Sequence, residues 1–198
     1  MYYYLSSDYS DKNFFDADFN FQPPLEGYYD IGEPIVPLSK DRLLNIRFKP
    51  HVKIMDMDFA IVFDVILISD EFANILKNFK SDTVLIPTDC KYSNNKPVKK
   101  KFWLLHSLSR QGCFDYNNSD YGGKELILKS YQEGNPKLVK VPKSIAIDCN
   151  NTNEFDYFFL KNVIFLYPII SENLKNALEN AKLKIEAHST LSILPQHK

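Results

Sequence analysis

The chain has 198 residues, 44% hydrophobic and 14% aromatic, with a formal net charge of −1, the composition of an ordinary soluble globular protein that can bury a sizeable core as one domain or as two small ones sharing an interface. No apolar run approaches the ~20 residues a membrane helix needs. The N-terminal MYYYLSSDYS has neither the positive charge nor the apolar stretch of a signal peptide, so the expected compartment is the cytoplasm.

Tyr2 to Leu5 reads as a first strand, followed to Pro37 by a polar, aromatic stretch with turns at Pro23-Pro24 and from Gly32 to Pro34. Residues 1–37 are thus expected to form an acidic, aromatic N-terminal layer, and residues 38–198 to carry the sheet and helices. Leu38-Ser39 opens a short helix through Ile46, and His51 to Ile54 is extended. Phe59 to Ile68 is a long buried run, whose strand or helix character periodicity alone does not settle. Ser69 then starts a helix over Asp70 to Phe79, with Phe72, Ile75, Leu76 and Phe79 on one stripe. A serine hydroxyl accepts a hydrogen bond from an orphan helix amide, and the acids Asp70 and Glu71 complement the positive end of the helix dipole.

Val84 to Pro87 is a strand, and the lysine-rich KYSNNKPVKKK, residues 91–101, is a solvated loop that feeds FWLLHSL. NNSDYGG, Asn117 to Gly123, is turn chemistry expected to join two extended segments. Leu126 to Ser130 and Ser144 to Ile147 read as short strands, with EGNPK between them as a second turn. Asn162 to Ile170 is the strand before a second helix, which starts at Ser171 and buries Leu174, Ala177, Leu178 and Ala181. The last strand runs from Ile185 to Ile193.

VILISDEFANILKNF and PIISENLKNALENA therefore repeat one plan about a hundred residues apart. The repeat predicts two similar strand-to-helix corners, a scaffold feature and a weak internal duplication. The fold class expected is α+β (mixed α/β), a single compact domain over residues 1–198 with a central sheet and the two serine-capped helices packed on it.

Cys90, Cys113 and Cys149 are odd in number and form no CxxC pair, which fits reduced thiols. His51, His106, His188 and His197 are scattered without zinc-site spacing, so no metal is expected. Neither GxxxxGK nor GxGxxG occurs, and no cofactor is expected. The best enzymatic constellation would join His106 and Asp115 with Asp56, Asp58 or Asp120 as a hydrolytic or nuclease site, with Cys113 a nucleophile only if its thiol were activated. Against it, His106 follows Trp103, Leu104 and Leu105, the setting of a packed histidine.

The pieces YYYLSSDY, ISDEFANIL, FWLLHSLSRQGCFDYNNSDY and IFLYPIISENLKNALENAKL, in that order, resemble the immunity proteins of bacterial polymorphic toxin systems, a family first described by a domain of unknown function. The chain departs from the family's usual pattern at His106-Ser107, where Leu-Asn is common, and at AKLKIEAHS, which lacks a glycine before the final strand. The resemblance implies a divergent member: a small, non-catalytic cytoplasmic inhibitor that binds a cognate secreted toxin domain, with no nucleic acid or membrane as partner. The family's neighbours include nucleases, which makes a nuclease the leading expectation for the toxin. No inhibitory residue is carried over from the family.

For the binding surface, residues 1–35 hold seven acids against Lys12 alone. A nuclease is positively charged where it grips phosphates, so carboxylates among aromatic anchors suit its inhibition. Asp11, Asp16, Asp18, Asp30 and Glu33, interleaved with Phe14, Phe15, Phe19, Phe21, Tyr28 and Tyr29, are the candidate toxin-binding residues.

Overall fold

A computed structural model describes residues 1–7, 16–35, 41–140 and 142–193. In chain order its elements are β1 (Tyr2–Ser6), β2 (Ala17–Gln22), β3 (Leu43–Phe48), β4 (Phe59–Val62), β5 (Val65–Ser69), α1 (Asp70–Leu76), β6 (Thr83–Lys91), β7 (Phe102–Ser107), β8 (Arg110–Gln111), β9 (Asp120–Tyr121), α2 (Lys124–Gln132), β10 (Pro142–Ser144), β11 (Tyr157–Leu160), β12 (Ile169–Ser171), α3 (Glu172–Asn180) and β13 (Glu186–Ser189). The fold is α+β, as the sequence predicts, but with two main sheets rather than one. Six strands run in the order β2-β3-β6-β7-β5-β4, five in the order β13-β1-β12-β11-β8, and β9 pairs with β10.

Strand alternation distributes the apolar residues over three cores. Along β5, Val65 and Leu67 enter one core while Ile66 and Ile68 enter the next; along β11, Tyr157 and Phe159 face that same second core while Phe158 and Leu160 face the third. A period of two sends neighbours to opposite faces, so each main sheet is covered on both sides. The second core lies between the sheets and takes the helix residues Phe72, Leu76, Leu174 and Leu178, each contributing roughly 2 kcal/mol by burial.

Both serine junctions are helix starts. The Ser69 hydroxyl accepts from Phe72 N at 3.2 Å and that of Ser171 from Leu174 N at 3.2 Å. The likeness extends well beyond the caps. Ser69 N–H donates to the Asp58 carbonyl at 3.0 Å, and Ser171 N–H to the Asp156 carbonyl at 2.9 Å. Asp58 and Asp156 each stand immediately before a four-residue strand, β4 or β11, that pairs antiparallel with the strand ending in the serine. β7 lies beside β5 as β1 lies beside β12, with Phe102 opposite Ser69 and Tyr2 opposite Ser171. The strand after each helix, β6 or β13, completes the pattern on the far side of β7 or β1. The molecule thus contains two copies of one four-strand, one-helix unit, the second borrowing its inner strand from the N-terminus.

The copies clasp each other reciprocally. Lys184, after α3, donates its N–H to the Asp58 carboxylate at 2.8 Å and its ammonium to Asp56 at 2.5 Å; Lys80, after α1, donates its N–H to Asp156 at 3.1 Å and its ammonium to Glu154 at 3.1 Å. Each aspartate N–H returns to the carbonyl of the same lysine, at 3.2 and 2.7 Å.

Several expectations are corrected. The helix expected through Ile46 is strand β3: Leu44, Ile46 and Phe48 are buried while Leu43, Asn45 and Arg47 are not, a period of two. Its expected start, Leu38-Ser39, lies outside the described residues. His51 to Ile54 forms no regular element, and Phe59 to Ile68 is a hairpin broken at Phe63-Asp64. Leu126 to Ser130 belongs to helix α2, which begins after Gly123 at a φ of +70° and stacks Tyr131 on Tyr116 at 4.2 Å. The strand expected at Asn162 to Ile170 is displaced to both sides, into β11 and β12, because Asn162 at φ +60° ends the first and the chain loops as far as Pro168. Of the described residues in 1–37, those of β1 lie inside the five-stranded sheet and those of β2 edge the six-stranded one.

Candidate functional site

The segment after β2 crosses the end of the six-stranded sheet and is pinned from below by β7 and β8. Gly32 N–H donates to the Ser107 carbonyl at 2.8 Å, and Arg110 Nε donates to the Ile31 carbonyl at 2.9 Å. Gly32 has a φ of +94°, and a Cβ there would stand 2.5 Å from Arg110 Cγ, so neither the backbone nor the space admits a side chain. The Arg110 guanidinium reaches Asp30 at 3.7 Å and lies over the Phe159 ring at 5.7 Å.

His106, 0% exposed, is the central fastener. Its Nε2 lies 2.8 Å from the Glu33 carbonyl and its Nδ1 3.2 Å from the Tyr29 hydroxyl. A carbonyl only accepts, so Nε2 carries the proton and Nδ1 accepts from Tyr29. Burial lowers the His106 pKa from 6.5 against the opposing pull of its Glu33 bond and Asp30, favouring this neutral ring. Tyr29 stacks on Phe21 at 5.6 Å, and burial, with Asp64 and Asp30 nearby, holds its phenol protonated.

What the pinned segment presents outward is acidic and aromatic. Tyr28 is 103% exposed, and Glu26, Asp30 and Glu33 are exposed around it. They line, with Leu25 and Pro34, a depression of 340 Å³. Asp30 also borders a small cleft with Asp64, Phe63 and Leu166, so the two hollows adjoin at Asp30. Phe63 is 66% exposed and Leu166 56%. Phe63 holds a φ of +55° at its hairpin tip, a left-handed conformation that asparagine or glycine adopts with less strain than a bulky ring.

The structure divides the five predicted binding residues. Asp30 and Glu33 share this face. Asp18 sits on β2 in an ion pair with Lys49 at 2.6 Å, and Asp16 accepts Lys49 N–H through its carbonyl at 2.9 Å. Asp11 lies outside the described residues, as do Phe14 and Phe15. Phe63, Asp64, Arg110 and Leu166 were not predicted for this face; the FD pair interrupting a β-branched run was the available signal for the first two.

The enzymatic constellation is not assembled. His106 is held by Tyr29 and Glu33, whereas Asp115 caps its own turn, accepting Asn117 and Asn118 N–H at 3.0 Å each. Asp56 pairs with Lys184. Asp58 is buried, and although burial opposes its charge, Lys100 at 2.6 Å, the Ser69 hydroxyl and Lys184 N–H outweigh it and hold the carboxyl below 3.8. Asp120 is exposed on β9. Cys113 is fully buried, and burial raises its thiol to about 12, which removes the thiolate a nucleophile requires. Among the described residues no group of three His, Cys, Asp or Glu side chains could hold a metal ion, and no helix is long and apolar enough to cross a membrane. Compared with protein-family models and with curated proteins, the sequence matches none.

Proposed function

We propose that the protein is a non-catalytic immunity protein of the cytoplasm that binds and neutralises a cognate toxin domain, with a nuclease as the favoured toxin. The observation that carries this reading is the face around Asp30: Tyr28 and Phe63 stand exposed among Glu26, Asp30, Glu33 and Asp64. Aromatic anchors ringed by charge are a frequent composition for binding hot spots. Carboxylates complement a phosphate-gripping cleft and speed encounter with it. The fastening by His106, Ser107 and Arg110 supports the reading too, since a segment already ordered loses little entropy on binding.

The test is co-expression with the toxin domain encoded beside the gene. The wild-type protein is expected to rescue growth and to co-purify with the toxin. Replacing Tyr28 by Ala together with Asp30→Asn and Glu33→Gln is expected to abolish rescue while the thermal unfolding midpoint stays unchanged. Full rescue by that folded variant would place the binding face elsewhere, and hydrolysis of nucleic acid by the purified protein alone would overturn the non-catalytic assignment.

A further inference from the structure

The lysine-rich loop predicted to be merely solvated lines a groove of 730 Å³ together with the segment after β3. Five lysines from three parts of the chain border it: Lys53, Lys96, Lys99, Lys100 and Lys184. Lys100 is committed to Asp58 and Lys184 to Asp56, the one carboxylate in the lining. Lys53, Lys96 and Lys99 are exposed and have no carboxylate partner among the described residues. Between them the floor is apolar, with Val52 and Met55 buried and Ile54 68% exposed.

We infer that this groove binds an acidic protein segment in which carboxylates alternate with apolar side chains. Three ammoniums without a carboxylate partner supply attraction without a fixed fork, and the exposed Ile54 side chain, beside the buried Val52 and Met55, supplies apolar contact that a bare polyanion would leave uncovered. The groove is poorly furnished for nucleic acid. Its lining among the described residues has no arginine and a single aromatic, Tyr92, whose ring tilts against Phe48 at 6.3 Å and whose hydroxyl accepts Met55 N–H at 3.1 Å, so it offers no series of stacking platforms for successive bases. Its size is that of a ligand site rather than a flat contact.

Fluorescence anisotropy with the intact protein tests this without any toxin. The probes are a labelled peptide of alternating Glu and Leu, a poly-Glu peptide of the same length, and a single-stranded uridine oligonucleotide. The Glu-Leu peptide is expected to bind most tightly, to weaken with added salt, and to lose about tenfold in affinity when Lys53, Lys96 and Lys99 are replaced by Ala together. Ile54→Ser is expected to weaken the Glu-Leu peptide and leave poly-Glu unchanged. Absence of peptide binding, tighter binding of the oligonucleotide, or indifference of the peptide to the lysine substitutions would each overturn the inference.

Discussion

The two copies of the repeated unit solve the same corner with unequal chemistry. In each, an aspartate ahead of the first strand joins the cap serine to a lysine of the other copy. Asp58 is buried, however, and needs the Lys100 ammonium as well, while Asp156 is half-exposed and takes the Ser171 hydroxyl at 2.5 Å. The tips diverge too: two residues, Phe63-Asp64, join the strands in the first copy, and a loop from Lys161 to Pro168 joins them in the second. Where the copies agree the residues hold the scaffold. Where they differ, at the Phe63 tip and the Lys100 loop, lie the exposed face and the basic groove.

The largest effect expected is at the clasp. Asp58→Ala leaves Ser69, Lys184 N–H and Lys100 without their shared acceptor and should cost about 3 kcal/mol, against about 1.5 kcal/mol for Asp156→Ala, where solvent can replace the lost oxygens. Urea unfolding of the two variants measures this, and equal losses would break the distinction. Next come the caps: Ser69→Ala should cost about 2 kcal/mol and Ser171→Ala about 1 kcal/mol, because only the first also strips a donor from a buried carboxylate.

Two substitutions that make the copies more alike should stabilise. Tyr157 occupies the place of Phe59, and its buried hydroxyl has no hydrogen-bond partner among the described residues. Tyr157→Phe should therefore gain about 1 kcal/mol. Phe63→Asn, which gives the first tip the residue found at positive φ in the second, Asn162, should also gain about 1 kcal/mol and, on the proposed function, weaken toxin binding. A loss of stability in either, measured by thermal unfolding, would contradict the assignment.

The smallest effect is with pH. His106 and Asp58 both have folded-state pKa values below their ordinary 6.5 and 3.8. Their stabilisation is complete above those ordinary values and is lost as pH falls through the folded ones. Stability should thus decline in two acid stages, His106 first and then the carboxylates, and Asp58→Asn should diminish the second, to which Asp56, Asp70 and Asp115 also contribute. Urea midpoints unchanged by that substitution at every acid pH would refute the assignment.

Local chemistry was sufficient for the serine caps, the first strand and the inner part of each helical stripe, Phe72 with Leu76 and Leu174 with Leu178, because a hydroxyl one residue ahead of acids and a period near 3.6 are decided within a dozen residues, whereas Phe79 and Ala181 lie beyond the helix ends and Ala181 is exposed. The same locality concealed the rest. Leu126 to Ser130 clusters like a strand, yet Gly123 and the stacking of Tyr131 on Tyr116, a residue from a distant turn, make it helical. His106 looked like a packed histidine and is one, but its role in holding Tyr29 and Glu33 depends on contacts more than seventy residues away in sequence. Likewise, half of the repeat was legible as ILIS and IIS before acids, while the exchange of Lys80 and Lys184 between copies was not. Those bonds span 76 and 126 residues, and only the folded chain brings their ends together.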